Sequence, residues 1–299
     1  VTTTLIWKKA LLDLMHSGVR VSPMSAGAAW RGRENRELIG YQTVIPMEHP
    51  VVISPARKLG YKFMCAEAAW ILSGDNRVAT IAPYAKAIKE LSDDGRRYFG
   101  AYGPKFVDQL SFVVDTLIKD PASRQAVVNI WREQPRPSKD TPCTLSWQFL
   151  IRGGKLHCVA TMRSSDIWTG WVYDVFNFSM AAAVVALELR QRATKFLQNV
   201  GDVPMSSCYG QTIQEATSHL EALQELQLGY LTLTAGSQHL YQVDLEGARA
   251  CLNEASNPAL RSLNLAEFQS SDDLISHLLA CARGQWSLQS SHFLGELFA

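Results

Sequence analysis

The chain has 299 residues, of which 47% are hydrophobic and 19% charged, with a formal net charge of +1. That is enough apolar material for a sizeable core, and the near balance of charge gives no global electrostatic basis for binding polymeric nucleic acid. An anionic ligand must therefore be held by a local cluster of basic residues. No apolar run approaches the length of a membrane span, and the first residues lack the basic, apolar, small-residue order of a signal peptide. The expectation is a soluble cytoplasmic protein that does not engage a membrane. Cysteines stand at 65, 143, 158, 208, 251 and 281 with no Cys-x-x-Cys pair. Free thiols packed as small hydrophobes are expected, and with no cysteine or histidine spacing suited to zinc, no metal is expected.

Taken in chain order, residues 3–16 carry Leu5, Ile6, Leu11, Leu12, Leu14 and Met15 in helical rhythm, stopped by Gly18. The arginine-dense stretch 29–38 reads either as a solvated loop or as a mobile anion-binding loop. Residues 61–73 predict a helix closed by Gly74-Asp75-Asn76. Glu67 lies inside this apolar segment, where a carboxylate must be paired, hydrogen-bonded or functional. A further helix is expected over 106–119, then a turn at Asp120-Pro121 and a strand over 125–131. Residues 145–152 and 155–162 predict two antiparallel strands joined by the Gly153-Gly154 hairpin signal. A long central helix follows over 174–189, then a helix over 213–228 and a strand over 230–234. Repeats, low-complexity segments and linkers are absent from the sequence, so a single domain over 1–299 is expected. Strands and helices mix without regular alternation, which favours α+β over a doubly wound sheet.

The chemistry concentrates around Thr141-Pro142-Cys143-Thr144 and Arg163-Ser164-Ser165-Asp166. A cysteine attacks as thiolate, and nearby positive charge lowers its pKa. Arg163, near the end of the second hairpin strand, is within reach of Cys143 just before the first. Arg163 with Ser164 also forms a plausible phosphate clamp, a guanidinium fork beside a hydroxyl. His157, between Leu156 and Cys158 on a strand, reads as a surface or core residue rather than a catalytic base.

Several spaced motifs carry a resemblance. Glu67-Ala68-Ala69-Trp70-x-Leu72-x-Gly74-Asp75, Tyr102-Gly103, Asp120-Pro121-x-Ser123-Arg124, Pro142-Cys143, Trp147-Gln148-Phe149, Gly154-Lys155-Leu156-x-Cys158, Arg163-Ser164-Ser165-Asp166, Gly170 and Gly236-Ser237-Gln238-His239-Leu240-Tyr241 stand in one order. Over roughly residues 60 to 242 this resembles the thymidylate synthases. The resemblance implies a large mixed β-sheet packed with helices, dimerising through the sheet, with shared active sites. It implies that Cys143 attacks C6 of a pyrimidine nucleotide, so that C5 takes a one-carbon unit from 5,10-methylenetetrahydrofolate. Glu67 is implied to organise water and proton transfers. Arg163 and Ser164 are implied to hold the 5′-phosphate, joined by Arg124 from the partner subunit and by Arg31 or Arg33 from the arginine-dense loop. Gln148 is implied to support the nucleotide pocket, His239 and Tyr241 to bind the 3′-hydroxyl, and Asp166, Gly170 and Tyr102 to face the folate. Residues beyond about 245 carry no transferable motif.

The departures from the family are informative. Asp174 stands where thymidylate synthases carry asparagine. An asparagine amide matches O4 and N3–H of uracil. An aspartate instead accepts from N4–H of cytosine, and its own proton or one on N3 completes the pair. The bland alternative is a helix-capping aspartate. Gln125 replaces the family's second arginine, Thr144 the histidine after the nucleophile, and Ser237 an aspartate. The segment between Asp174 and His239 is longer than usual, and the tryptophans expected between the glutamate helix and Tyr102 are absent. Together these resemble the deoxycytidylate hydroxymethylases, the branch that supplies modified cytosine for bacteriophage DNA. The expected reaction is dCMP with methylenetetrahydrofolate and water giving 5-hydroxymethyl-dCMP. A dCMP methyltransferase, a CMP hydroxymethylase and a non-catalytic nucleotide-binding relative are the alternatives.

Overall fold

The computed structural model describes residues 2–24, 31–131, 137–198, 213–255, 262–285 and 293. Six strands form one mixed sheet: β1 (Val19–Val21), β2 (Asn35–Pro46), β3 (Val127–Asn129), β4 (Thr144–Arg152), β5 (Lys155–Asp166) and β6 (Gln227–Tyr241), in the order β1-β2-β6-β5-β4-β3. Every pair is antiparallel except β5 with β6. A parallel pair needs a long crossover, and here the crossover runs through α5 (Trp171–Gln198) and α6 (Ile213–Gln224). The remaining helices are α1 (Thr3–Ser17), α2 (Tyr61–Leu72), the short α3 (Val78–Ile81), α4 (Tyr102–Lys119), α7 (Leu245–Leu252) and α8 (Ser271–Arg283). The architecture is α+β, as the irregular mixture of elements predicts.

The fold is organised around α5. Residues 175–187 of this helix are buried without interruption, the pattern of a helix enclosed on all sides. It packs against β5 and β6 on one side and against α2, α4, α6 and α8 on the others. Against the expectation that no run approaches membrane length, α5 is long and apolar enough by composition to cross a bilayer, but 83% of its apolar window is buried inside the fold. Trp147 of β4 is enclosed by Phe178 of α5 at 5.0 Å between ring centroids, Phe106 of α4 at 5.7 Å and Tyr102 at 6.0 Å. This aromatic cluster fixes α4 and α5 against the sheet just beneath the residues that follow Cys143.

The differences from the sequence expectations have clear causes. Residues 35–38, read as part of a polar loop, begin β2. Their register with β6, Glu37 opposite His239 and Asn35 opposite Tyr241, is a long-range pairing that local composition does not show. β6 is three times the length expected from 230–234, because Gly236 and the polar residues after it stay in the ladder between two neighbouring strands. The helix expected over 213–228 ends at Gln224, and Gln227 already pairs with Lys155. α4 starts at Tyr102 rather than 106, and α5 at Trp171 rather than 174. The hairpin is as expected: Gly153 and Gly154 both have positive φ, +57° and +71°, as a two-residue turn between twisted strands requires. Cys65, Cys143, Cys158, Cys251 and Cys281 are free thiols; Cys208 lies outside the described residues. So do residues 29 and 30 of the arginine-dense stretch and residues 199–212 of the longer segment between Asp174 and His239.

The junction between α2 and α4 leaves no room for a side chain at Gly103, where a Cβ would lie 2.8 Å from the Ile71 carbonyl oxygen and 3.0 Å from that of Asp75. Both atoms are backbone and cannot swing away. Gly103→Ala is therefore expected to destabilise the protein by about 1–3 kcal/mol, read as a lowered denaturation midpoint. Unchanged stability would mean that the two helices separate freely at this point.

Candidate active site

Cys143 immediately precedes β4, where the register with β5 shifts between Thr144 and Ser146. Bulges of this kind bend a strand and re-aim its side chains. Arg163 of β5 secures the displaced segment: its backbone N–H donates to the Cys143 carbonyl at 2.8 Å, Nε donates to the Pro142 carbonyl at 2.9 Å, and Nη2 donates to the Thr141 carbonyl at 3.0 Å. The same Nη2 lies 3.7 Å from Cys143 Sγ. One guanidinium thus both shapes the loop and sits beside the sulfur.

Burial raises the pKa of the Cys143 thiol most, Arg163 pulls it down, and Asp174, Asp140 and Asp166 push it up, leaving it above the ordinary value. The expected lowering by Arg163 is therefore real but outweighed in the free protein. Tyr102, at the start of α4, lies below the cysteine. Its hydroxyl accepts from the Thr144 N–H at 3.3 Å, and burial with the charges of Cys143 and Asp174 holds the phenol well above its usual range. Thr144, at the family's histidine position, is buried, and its Oγ1 has no hydrogen-bond partner among the described residues.

Glu67 on α2 and Asp174 in the first turn of α5 interact across the α2–α5 contact. Glu67 Oε2 accepts from Asn177 Nδ2 at 2.8 Å. Burial pushes the Glu67 pKa up to about 7, with the Asn177 hydrogen bond acting in the opposite direction. Asp174 is held well above the carboxylate range by burial first, then by the charges of Glu67 and Asp166. Two carboxyls this close in a low dielectric cannot both ionise cheaply. Gly170 leaves Asp174 Oδ2 open, 3.5 Å from where a Cβ would stand. Asp174 lies inside the first turn, after Trp171, so it does not occupy the capping position itself.

Asp166 closes β5. Its Oδ1 accepts from the N–H groups of Trp168 at 2.9 Å and Thr169 at 3.2 Å, and its Oδ2 accepts from Thr169 Oγ1. It therefore builds the turn into α5 while keeping further lone pairs for a ligand. His239 and Tyr241 alternate onto one face of β6, their rings edge to face at 5.2 Å. Burial lowers the His239 pKa most, against the charges of Asp166 and Glu37, so its neutral imidazole is favoured. Ser237 Oγ donates to Glu37 Oε1 on the neighbouring strand. The carboxylate that the sequence loses at Ser237 is thus matched by one from β2. Ser164 stands half-buried on β5, paired with Ser237.

Other expected residues fall elsewhere within the chain. Gln148 alternates with the buried Trp147 and Phe149 and so faces the opposite side of the sheet. Its Nε2 donates to the Arg124 carbonyl at 2.8 Å. Arg124 is exposed at the α4–β3 connection, so the chain does not bring Gln148 or Arg124 to its own Cys143. Arg31 is exposed, whereas the charge of Arg33 acts on Tyr241 and Asp244. Arg33 is exposed as well, so its charge on these two residues is what distinguishes it from Arg31.

Sequence reasoning missed Asn177, Glu37, Asp244 and Arg57. Asn177 was reachable, three residues after Asp174 on an expected helix and so on the same face. Glu37 depends on β2–β6 pairing and had no local signal. Asp244, just before α7, is raised to about 6 by burial first and then by Asp166, against Arg57 and Arg33. Its Oδ2 is buried with no hydrogen-bond partner among the described residues. Arg57 donates to the Trp168 carbonyl at 2.8 and 3.0 Å and lies 4.7 Å above the indole centroid. The open acceptor on Asp244, near Asp166, fits a donor-rich, flat heterocycle such as the pterin of a folate.

The thymidylate synthase family model matches residues 15–225. Among solved structures, the thermostable thymidylate synthase A from Bacillus subtilis is similar with a TM-score of 0.66 and 17% identity, covering 91% of this chain and 94% of that one. At that identity the likeness concerns the fold.

Among the described residues, Arg163 is the group that lowers the Cys143 pKa. Arg163→Gln should therefore move the midpoint of the pH–rate profile for Cys143 alkylation by iodoacetamide upward and slow the reaction at neutral pH, followed by mass spectrometry of the Cys143 peptide. An unmoved midpoint would reduce Arg163 to a backbone tie.

Proposed function

The chain belongs to the thymidylate synthase family, whose members transfer one-carbon units to pyrimidine nucleotides, and from this premise we propose that it is a folate-dependent deoxycytidylate 5-hydroxymethyltransferase. One observation carries the choice of base: Asp174 stands at the family's asparagine position, half-buried near Glu67, with its pKa pushed up. A protonated carboxyl offers one donor and one acceptor. The donor meets the unprotonated N3 of cytosine and the acceptor meets N4–H. Uracil, with O4 and N3–H, presents the reverse pattern: it requires the carboxyl proton on the other oxygen, and an ionised Asp174, acceptor-only, would repel O4 while still accepting from cytosine N4–H.

In this reading the nucleotide's phosphate lies against Arg163 and Ser164, with Arg33 closing from the loop before β2 and Arg124 reaching across a dimer interface. The open sheet face supports such an interface: Val44 and Tyr230 are about half exposed, at 48% and 50%. Neutral His239 and Tyr241 bind the 3′-hydroxyl. Cys143 Sγ adds to C6, and the electron pair of the C5–C6 double bond becomes available at C5. The negative charge that develops on the base is met by the Asp174 proton. A neutral Asp174 also removes one of the three carboxylate charges that hold the Cys143 thiol up, so ligand-bound Asp174 and thiolate formation support each other. Bound methylenetetrahydrofolate supplies the one-carbon unit at the formaldehyde level. Glu67, with a pKa near 7, is poised to take and return protons at neutral pH.

Incubation with dCMP and methylenetetrahydrofolate should yield 5-hydroxymethyl-dCMP by mass spectrometry, with little turnover of dUMP or CMP. Activity confined to dUMP would sink the reading of Asp174, and 5-methyl-dCMP accompanied by dihydrofolate would make the enzyme a methyltransferase. Asp174→Asn should shift the dCMP/dUMP preference toward dUMP by about 10–100-fold, the cost of mismatching one buried hydrogen-bonding edge. Cys143→Ser should abolish turnover while dCMP binding persists.

A further inference from the structure

Asn177 has no task in the substrate contacts above. It lies one turn beyond Asp174 on α5 and is 2% exposed. Its Nδ2 is committed to Glu67 Oε2 at 2.8 Å, yet its Oδ1 is buried with no hydrogen-bond partner among the described residues. Leaving a buried amide oxygen unpaired costs on the order of 1–3 kcal/mol. Its neighbours along the helix, Val175, Phe176, Phe178 and Met180, are all buried and apolar. An apolar residue there would avoid the cost. The polar residue is accounted for if something with a proton to give occupies the place beside Glu67, and a water has both the size and the donors.

We propose that Asn177 is a positioning residue for the water-consuming step: Nδ2 holds Glu67 in place, and Oδ1 accepts from the water that Glu67 deprotonates. This rests on the hydroxymethyltransferase reading. At that stage the nucleotide carries Cys143 Sγ on C6 and an exocyclic methylene on C5. The water oxygen bonds to the methylene carbon. One water proton passes to Glu67, and the other stays on the new hydroxyl, donated to Asn177 Oδ1. The methylene π pair moves into the ring, and its return as the C5–C6 double bond expels Cys143 as thiolate. No electrons leave the nucleotide for an outside acceptor, and none enter.

The surroundings of Glu67 make the role measurable. The charge of Glu67 acts on Asp174 of α5; Asp174 in turn acts on Cys143 and Tyr102, and Arg163 acts on Cys143. Among these only the Asn177 bond is a direct hydrogen bond to the Glu67 carboxylate, and it favours the ionised form. Losing it raises the Glu67 pKa, so an acid limb that depends on ionised Glu67 moves to higher pH.

The test uses dCMP tritiated at C5 with methylenetetrahydrofolate, measuring tritium release and 5-hydroxymethyl-dCMP in the same samples across pH. Wild type is compared with Asn177→Leu, close in size and free of an unpaired acceptor, and with Asn177→Ala. Circular dichroism and dCMP affinity establish that each variant is folded. In the variants, product formed per tritium released should fall, by roughly tenfold or more, and the acid limb should shift upward. A folded Asn177→Leu protein with wild-type coupling and an unshifted limb overturns the role of Asn177 alone. A wild-type protein that releases tritium but forms no 5-hydroxymethyl-dCMP overturns the hydroxymethyltransferase reading, and the water step with it.

Discussion

The enclosure of α5 is the constraint on which the rest depends. A helix buried continuously over residues 175–187 has to be surrounded, and the sheet on one side with α2, α4, α6 and α8 on the others does so. Its N-terminal turn projects Asp174 and Asn177 into the same low-dielectric interior. Polar groups there cannot rely on water, so their protonation states are set by each other. The raised Glu67 and Asp174 follow from the packing of an apolar helix, not from any special property of the two residues.

A second consequence concerns the nucleophile. Burial works against a thiolate, and three aspartates add to that opposition. Among the described residues Arg163 is the opposing charge, and the same side chain ties down the backbone of the cysteine segment. Shape and charge are therefore coupled through one residue.

The sheet shows how lost family residues are compensated by neighbours in space. Ser237 replaces an aspartate, but its hydroxyl reaches Glu37 on the adjacent strand, restoring a carboxylate near His239. Asp244 adds an acceptor on the far side of Asp166. Each substitution looks like a loss along the chain and becomes an exchange once β2, β6 and the segment before α7 stand together.

The sequence by itself determined the local features: the helices of α1 and α2, the β4–β5 hairpin with its paired glycines, and the motif order that singles out Cys143, Glu67, Arg163 and Asp174 as candidates for one site. These depend on periodicity, turn chemistry and spacing, which are properties of short segments. Only the tertiary structure decided which face each residue serves. It turned Gln148 away from the face of Trp147 and Phe149, and brought Glu37 beside His239 through a pairing more than two hundred residues apart in the chain. It also set the surroundings that push the Glu67 and Asp174 pKa values up and brought Asn177 against Glu67. Those outcomes arise from strand register and from the dielectric of an enclosed helix, and neither is written in any one segment.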